Sequence, residues 1–181
     1  MKRLAVFCGS RDGTNDHYRN TAKRFGELLA QHDIEIVYGG AIVGLMGAVA
    51  EGALEHDGKV IGIIPERLKT VEIMHPDVTE MHVVETMHER KAKIAELADG
   101  FVALPGGAGT MEEWFEVFTW AQIGYHQKPC ALLNINGYYT PLIELFDHMI
   151  SEGFADPHYK EFIMMEEEPE DLIDRLRLFS N

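Results

Sequence analysis

The chain offers little material for disulfides or membrane spans. It has two cysteines in 181 residues, Cys8 and Cys130, and each lies inside an apolar run. Thiols placed in this way are typical of small buried side chains and not of a disulfide framework. Cys8 ends a predicted strand beside a glycine, which keeps a catalytic alternative open. No stretch of about 18 consecutive apolar residues occurs, so no membrane-spanning helix is expected.

Positive charge is also scarce. Lysine and arginine number 16 against 30 aspartates and glutamates, which gives a formal net charge of −14. A field of this sign repels nucleic acid, and no basic stretch offsets it, so we expect no nucleic-acid partner. A small anionic ligand would need cations placed locally. The first residues lead directly into a predicted strand without the features of a secretory signal, which favours a cytoplasmic protein.

Several ligand-binding signatures are missing. No glycine-rich turn carries the Lys-Ser/Thr pair of a triphosphate-binding loop, and none has the G-x-G-x-x-G spacing of a dinucleotide site. The nine histidines show no metal-ligand spacing. The sequence therefore disfavours a P-loop ATPase and a nicotinamide-dependent oxidoreductase, and we expect no metal.

What is present is a regular alternation of short β-branched runs and longer helical patterns. The runs are almost wholly apolar, which is typical of strands buried on both faces of a parallel sheet. The sequence predicts one α/β domain over residues 1–181, a doubly wound, Rossmann-like parallel sheet with helices on both faces. The predicted strands are 3–8, 35–38, 59–64, 82–85, 100–104 and 129–134, and the predicted helices are 15–31, 44–56, 87–98, 110–123, 138–152 and 166–178, with 66–79 irregular.

Glycine-rich turns follow three of these strands. Gly9 follows the first strand, Gly39-Gly40 the second, and Gly106-Gly107 the one that ends at Leu104. In doubly wound folds, ligands bind at the carboxyl ends of the strands. Three such turns on one edge indicate a ligand that approaches the backbone closely.

The segment 105–110 joins a buried strand to a helix. Glycine-rich turns at a helix start expose backbone N–H groups to an anion, although a tight turn without any ligand is the alternative. Glu113 lies in the predicted first turn, where it fits a capping box with Thr110. A carboxylate beside an anion cradle is electrostatically costly, so a functional role competes with that structural one.

Two cations interrupt the apolar stripe of the preceding helix, 87–98. Arg90 and Lys91 fill the step between Met87 and Ile94, so at least one of them should point towards the core or its rim. Arg90 suits a bidentate hold on a phosphate or carboxylate. The alternatives are that it pairs with a structural glutamate, or that its stem packs while its head reaches water.

Together these motifs resemble those of the LOG (Lonely Guy) family, whose members were formerly described as possible lysine decarboxylases. The hallmark P-G-G-x-G-T-x-x-E is complete over residues 105–113, and the accompanying Arg-Lys pair is Arg90-Lys91. The family-like turns Cys8-Gly9-Ser10, Tyr38-Gly39-Gly40 and Gly44-Leu45-Met46-Gly47 are also present. The chain departs from the family at Ala41, where a third glycine is usual, and this puts substrate fit in question but not the reaction.

The resemblance implies hydrolysis of the N-glycosidic bond of a nucleoside 5′-monophosphate, AMP or a cytokinin riboside monophosphate, without organic cofactor or metal. It implies that Arg90 and Glu113 are catalytic and that the enzyme is a homodimer with its site near the interface. The substrate-binding positions that it implies are Gly9, Ser10, Gly39, Gly40, Glu72, Lys91, Gly106, Gly107, Ala108, Gly109, Thr110, Met111, Glu112 and Thr119.

One other function stays open at this point, and a second is disfavoured. A molybdenum-cofactor carrier has a similar fold and glycine pattern, and would bind a nucleotide-like anion without cleaving it. A pyridoxal-phosphate decarboxylase needs a Schiff-base lysine in a much larger fold, a context that Lys91 and Lys93 lack. Met46, Met74 and Met87 are either core residues or the wall of an apolar base pocket.

Overall fold

The computed structural model describes residues 1–69 and 74–179. Within these residues, seven parallel strands form one sheet in the order β4-β3-β2-β1-β5-β6-β7. The strands are β1 (Arg3–Phe7), β2 (Glu35–Tyr38), β3 (Val60–Pro65), β4 (Glu80–Val84), β5 (Gly100–Ala103), β6 (Cys130–Leu133) and β7 (Ile163–Glu166). The helices are α1 (Asp16–Gln31), α2 (Gly44–Leu54), α3 (Met87–Leu97), α4 (Ala108–Gln122), α5 (Thr140–Ser151) and α6 (Pro169–Phe179), with short 3-10 turns at Glu66–Leu68, Ile135–Gly137 and Pro157–Phe162.

Helices cover both faces of this sheet, as the apolar strands predict. Alternate strand residues point to opposite faces, and they separate the interior into two clusters. One cluster packs α1, α2 and α6 against strand residues such as Val6 and Tyr38. The other packs α3, α4 and α5 against residues such as Phe7 and Phe101. The predicted doubly wound α/β fold is therefore confirmed.

Local signals fix the starts of two helices that lead to or from the carboxyl edge. The Asn15 side chain accepts a hydrogen bond from the His17 N–H and caps α1. The Thr86 side chain accepts one from the Glu89 N–H, at 3.1 Å, and caps α3. Glu89 in turn accepts from the Glu85 N–H, one residue before the position that a strict capping box uses.

The predicted elements differ from the structure mainly at the two edges of the sheet. Strand β4 begins two residues earlier than expected because its polar first residue, Glu80, lies on an exposed edge. Strand β7 was absent from the prediction, in which the last segment started as a helix at 166. It is a short edge strand that pairs with β6, with Met164 opposite Ala131.

Candidate active site

The candidate site lies at the carboxyl edge of the sheet, between β1 and β5. The chain runs outward from β1 to β2, β3 and β4 on one side and continues from β5 to β6 and β7 on the other. Open α/β sheets bind ligands at such a reversal of strand order. The two loops meet there directly, since the Gly9 N–H donates a 3.0 Å hydrogen bond to the Pro105 carbonyl. The predicted convergence of these two glycine turns is confirmed.

Two adjoining cavities open at this edge and share Gly9, Ser10 and Gly107. We call the first, of about 380 Å³, the ion-pair cavity. The second, of about 340 Å³, is the tyrosine cavity. The ion-pair cavity is lined by Cys8, Gly9, Ser10, Met46, Met87, Arg90, Gly107, Ala108, Gly109, Thr110, Glu112 and Glu113. The tyrosine cavity is lined by Gly9, Ser10, Arg11, Asp12, Gly13, Tyr18, Leu45, Pro105, Gly106, Gly107 and Tyr138.

The start of α4 forms one wall of the ion-pair cavity, and here the capping-box interpretation is wrong. Helix α4 begins at Ala108, two residues before the predicted start, and its N-cap is Gly107, which makes no side-chain cap hydrogen bond. Thr110 is buried inside the first turn, and Glu113 does not reach back to cap it. The first N–H groups of α4 therefore face the cavity without a side-chain cap, the arrangement that binds anions at helix starts.

The surroundings of the three glycines in this loop, Gly106, Gly107 and Gly109, explain the absence of a side chain in different ways. A Cβ at Gly106 would overlap the Thr110 side chain, so packing requires glycine at that position. A Cβ at Gly107 or Gly109 would meet no atom within 4 Å. Packing within the described residues gives no reason for glycine at these two positions. Their bare backbone instead leaves the cavity open for a ligand to approach the N–H groups.

Arg90 and Glu113 form an ion pair across the ion-pair cavity. Arg90 Nη1 lies 3.3 Å from Glu113 Oε1, and each side chain is only 12% exposed. The Arg90 guanidinium is fixed from behind, because its Nε donates to the Ile63 carbonyl at 3.1 Å and it packs on Gly39, where a Cβ would collide with it. The prediction that a cation of this helix points towards the rim of the core is confirmed, and its carboxylate partner is Glu113.

The ion pair with Arg90 leaves one oxygen of the Glu113 carboxylate without a hydrogen bond among the described residues. Oε1 is buried and makes no hydrogen bond with residues 1–69 or 74–179, despite its closeness to Arg90. Burial raises the pKa of Glu113 above its ordinary value, and the positive charge of Arg90 offsets only part of that effect. A carboxyl group held in this state is suited to proton transfer or to stabilising a positive charge that develops beside it.

Cys8 forms part of the same cavity wall, yet it has the properties of a buried apolar side chain. Burial raises the pKa of its thiol, and the nearby charge of Glu113 raises it further. A thiol in that state stays protonated and is a poor nucleophile. The buried alternative for Cys8 and Cys130 is confirmed.

Several predicted substrate-binding residues do not line either cavity. Lys91 instead pairs with Glu112 and, at 3.0 Å, with Glu116. Met111 packs against the core on the α3–α4–α5 face. Thr119 is exposed on α4, six residues and about 9 Å along the axis beyond Glu113. Gly39 and Gly40 lie behind the cavity, the former under Arg90 and the latter in a turn with a φ of +79°. Glu72 lies outside the described residues.

The tyrosine cavity contains residues that the sequence analysis missed. Tyr138 donates a hydrogen bond to the Gly106 carbonyl at 2.5 Å, and Tyr18 meets its ring edge-on at 6.2 Å. Arg11 directly follows the family-like turn Cys8-Gly9-Ser10, a position that would have singled it out as a candidate. Tyr138 gave no such signal because its surroundings predict an ordinary helix start.

The substitution at Ala41 does not narrow either cavity. Ala41 is 5% exposed, forms an isolated antiparallel bridge with Met74, and is not among the lining residues. Its φ is not positive, so an alanine fits the turn without backbone strain. Of the three methionines considered for an apolar wall, Met46 and Met87 line the ion-pair cavity and Met74 does not.

Within residues 1–69 and 74–179, no helix combines the length and apolarity that a membrane crossing requires. In the same part of the chain, no three His, Cys, Asp or Glu side chains lie together in a way that could hold a metal ion.

Comparison with known proteins gives concordant results. Residues 46–176 match the family model described as "Possible lysine decarboxylase". The chain is 46% identical over 177 residues to a cytokinin riboside 5′-monophosphate phosphoribohydrolase of Rhodococcoides fascians, covering 97% of this chain and 89% of that protein. It is 43% identical over 182 residues to an enzyme of the same name from Arabidopsis thaliana, covering 99% and 84%. Among solved structures, the molybdenum cofactor binding protein of Rippkaea orientalis is similar with a TM-score of 0.77 and 22% identity, covering 99% of this chain and 97% of that one, which shows a shared fold.

Proposed function

The chain belongs to the family described as possible lysine decarboxylases, the LOG family, and from this premise we propose that it hydrolyses the N-glycosidic bond of a nucleoside 5′-monophosphate. The products are the free base and ribose 5-phosphate. The observation that most strongly supports this reaction is that the buried pair Arg90–Glu113 lines the same cavity as the uncapped start of α4. An anion cradle and a carboxylate thus lie within the length of one small ligand.

The phosphate binds at the first turn of α4, where Gly107 and Gly109 leave the backbone bare. The ribose then lies beside Glu113. Cleavage joins a water oxygen to C1′ and leaves the electrons of the broken bond with the base, which takes up a proton. The sugar passes through an oxocarbenium-like state, and the Glu113 carboxylate stabilises its positive charge or activates the water.

Arg90 orients the phosphoribosyl group and balances the negative charge that Glu113 and the phosphate bring together. Its position is fixed before the substrate arrives, since the Ile63 carbonyl and Gly39 hold the guanidinium from behind. Binding energy from the phosphate, which does not react, can then be used to align the C1′ bond. Ser10, Ala108, Thr110 and Glu112 complete the wall of the cavity.

For the base we propose the side of the cavity that Met46 and Met87 form. Thioethers adapt to irregular apolar shapes and suit both a plain adenine and an isoprenoid-substituted one. AMP and cytokinin riboside monophosphates are therefore the substrates to compare.

A homodimer with the site near its interface belongs to this proposal. Thr119 lies too far along α4 to line its own cavity, and Met87, at the rim of that cavity, is 43% exposed. A second copy would cover such a rim and bring Thr119 towards its neighbour's substrate. Glu72 stays a predicted contact. Light scattering should give the mass of a dimer, and a monomer mass would contradict this part of the proposal.

We further propose a cytoplasmic enzyme that acts without metal or organic cofactor on a small molecule. The two free, buried cysteines fit a reducing compartment, and the net charge of −14 disfavours nucleic acid. Lys91 is unsuited to the Schiff base that a decarboxylase needs, because its hydrogen bond with Glu112 raises its pKa and keeps it protonated.

The test is to incubate the protein with AMP, an isoprenoid-substituted AMP and adenosine, and to measure free base and ribose 5-phosphate by chromatography. We expect release from the monophosphates and little from adenosine, which has no phosphate for α4. Tight binding of AMP without release of adenine would instead support a carrier.

A further inference from the structure

The tyrosine cavity adjoins the phosphate cradle and presents a cation that the proposed reaction has not used. Arg11 lines this cavity together with Gly106 and Gly107, the residues that lead into α4. Its guanidinium makes no ion pair with any carboxylate of residues 1–69 and 74–179. Three other cations near the two cavities are paired: Arg19 with Asp12 and Glu51, Arg90 with Glu113, and Lys91 with Glu112 and Glu116.

A phosphate that enters this site meets an unfavourable field. The whole chain carries a net charge of −14, and Glu112 and Glu113 line the cavity itself. The positive charge of Arg90 is already shared with Glu113, so it compensates a phosphate dianion only in part. The phosphate therefore needs a further positive charge, and a guanidinium without a carboxylate partner can supply it. The planar fork of N–H donors on a guanidinium also matches the spacing of phosphate oxygens.

The loop that carries Arg11 is held on both sides of that residue. Before it, Gly9 donates to the Pro105 carbonyl and accepts from the Leu45 N–H, each at 3.0 Å. After it, Asp12 accepts from Arg19 at 3.0 Å. This second contact also neutralises the carboxylate next to Arg11, which would otherwise compete with a phosphate for its guanidinium.

We propose that Arg11 is a phosphate-binding residue of this site, which contacts the 5′-phosphate from the tyrosine cavity, whereas Arg90 lies in the adjoining ion-pair cavity. The inference rests on the proposed function for the identity of the phosphate ester, but not for the presence of an anion site. Arg11 strengthens binding of every ligand that carries the phosphate and leaves the binding of the free base unchanged.

The test compares Arg11→Gln with Lys2→Gln, a matched control that removes the same charge from an exposed residue at the opposite end of the sheet. Calorimetry with ribose 5-phosphate, and separately with adenine, measures binding without turnover. We expect Arg11→Gln to weaken ribose 5-phosphate roughly tenfold or more, as the loss of a charged hydrogen bond implies. Adenine binding should be unchanged, and Lys2→Gln should alter neither ligand by more than about twofold.

Steady-state kinetics with AMP give a second readout. Arg11→Gln should raise KM with little change in kcat, the pattern of lost uniform binding, and Arg11→Lys should recover part of the affinity. The inference is overturned if Arg11→Gln binds ribose 5-phosphate as tightly as Lys2→Gln does. It is also overturned if Arg11→Gln loses as much affinity for adenine as it loses for ribose 5-phosphate. Wild type that does not bind ribose 5-phosphate overturns it as well. Should wild type bind ribose 5-phosphate through Arg11 yet leave AMP intact, the proposed hydrolysis fails and the assignment of Arg11 stands.

Discussion

Replacing Glu113 with glutamine removes one negative charge from the ion-pair cavity and keeps the size of the side chain. The catalytic effect should be large, since a positioned acid or base contributes about 10²–10⁴ in rate, or about 3 to 5 kcal/mol in activation free energy. We expect kcat for adenine release from AMP to fall by such a factor. The binding of ribose 5-phosphate, which depends on the first turn of α4, should change far less.

The same substitution should lower activity but raise the stability of the folded protein at neutral pH. Burial raises the folded-state pKa of Glu113, so the folded protein holds the ionised form less favourably than the unfolded chain does. Below the ordinary carboxyl pKa of about 4.3 the group is neutral in both states and costs nothing. As the pH rises above that value, wild type loses stability relative to the glutamine variant, until the pH exceeds the raised folded pKa. At neutral pH, Glu113→Gln should therefore unfold at a higher temperature than wild type, and the difference should vanish in acid.

The assay is adenine release followed by chromatography, together with thermal unfolding at several pH values. Glu116→Gln is the matched control, because Glu116 lies one turn further along α4 and outside the ion-pair cavity, on the far side of Lys91. In wild type, kcat/KM should rise with pH through an apparent pKa above that of an ordinary carboxyl group. Wild-type kcat in Glu113→Gln would refute the catalytic assignment, and a variant less stable than wild type at neutral pH would refute the account of its burial.

Three further substitutions separate fold from function. Arg90→Ala should abolish most turnover and lower the free energy of unfolding by about 3–5 kcal/mol at neutral pH, because it leaves Glu113 buried without its cation. Adding Glu113→Gln to this variant should restore stability but not activity. A double variant as unstable as Arg90→Ala would contradict this explanation. Gly109→Ala should fold at least as well as wild type, since alanine favours a helix and its methyl group meets no atom, while its KM for AMP rises as the methyl group obstructs the cradle. Gly106→Ala should lose about 1–3 kcal/mol in unfolding free energy, because its methyl group overlaps the Thr110 side chain. Chemical denaturation measures the unfolding free energy of both alanine variants. Equal losses in the two variants would argue against the open space at Gly109.

Much of the fold follows from local patterns that need no knowledge of distant contacts. The periodicity of residues 15–31 predicts a helix that the structure places at Asp16–Gln31, and apolar runs predict six of the strands. The start of β4 was shifted because an edge position tolerates an exposed polar residue, Glu80, which weakens the apolar signal. Strand β7 was missed because its four residues, Ile163–Glu166, are too few to show a strand periodicity. The carboxyl-edge location of the glycine turns followed from the fold class alone.

The site was only partly predictable, because its chemistry depends on distances between elements. Arg90 and Glu113 lie on helices of successive strand–helix units, and their 3.3 Å separation has no counterpart in sequence spacing. Thr110 and Glu113 fit the capping pattern as well as any helix start does, yet the helix begins two residues earlier, at Ala108, and its N-cap Gly107 has no side chain that would mark the start. The position of Arg11 after the turn Cys8-Gly9-Ser10 is visible in the sequence, but only the structure shows that it lines the tyrosine cavity and has no carboxylate partner among the described residues.

The thiol of Cys8 illustrates how the packing of this site bears on the conditions under which the protein can work. A cysteine in the wall of a catalytic cavity is often a point of oxidative damage, because peroxides attack the thiolate. Here burial and the neighbouring carboxylate of Glu113 both keep the proton on sulfur. The sulfur stays in its protonated form, which oxidants attack slowly, so turnover should survive oxidative stress that inactivates enzymes with ionised cavity thiols.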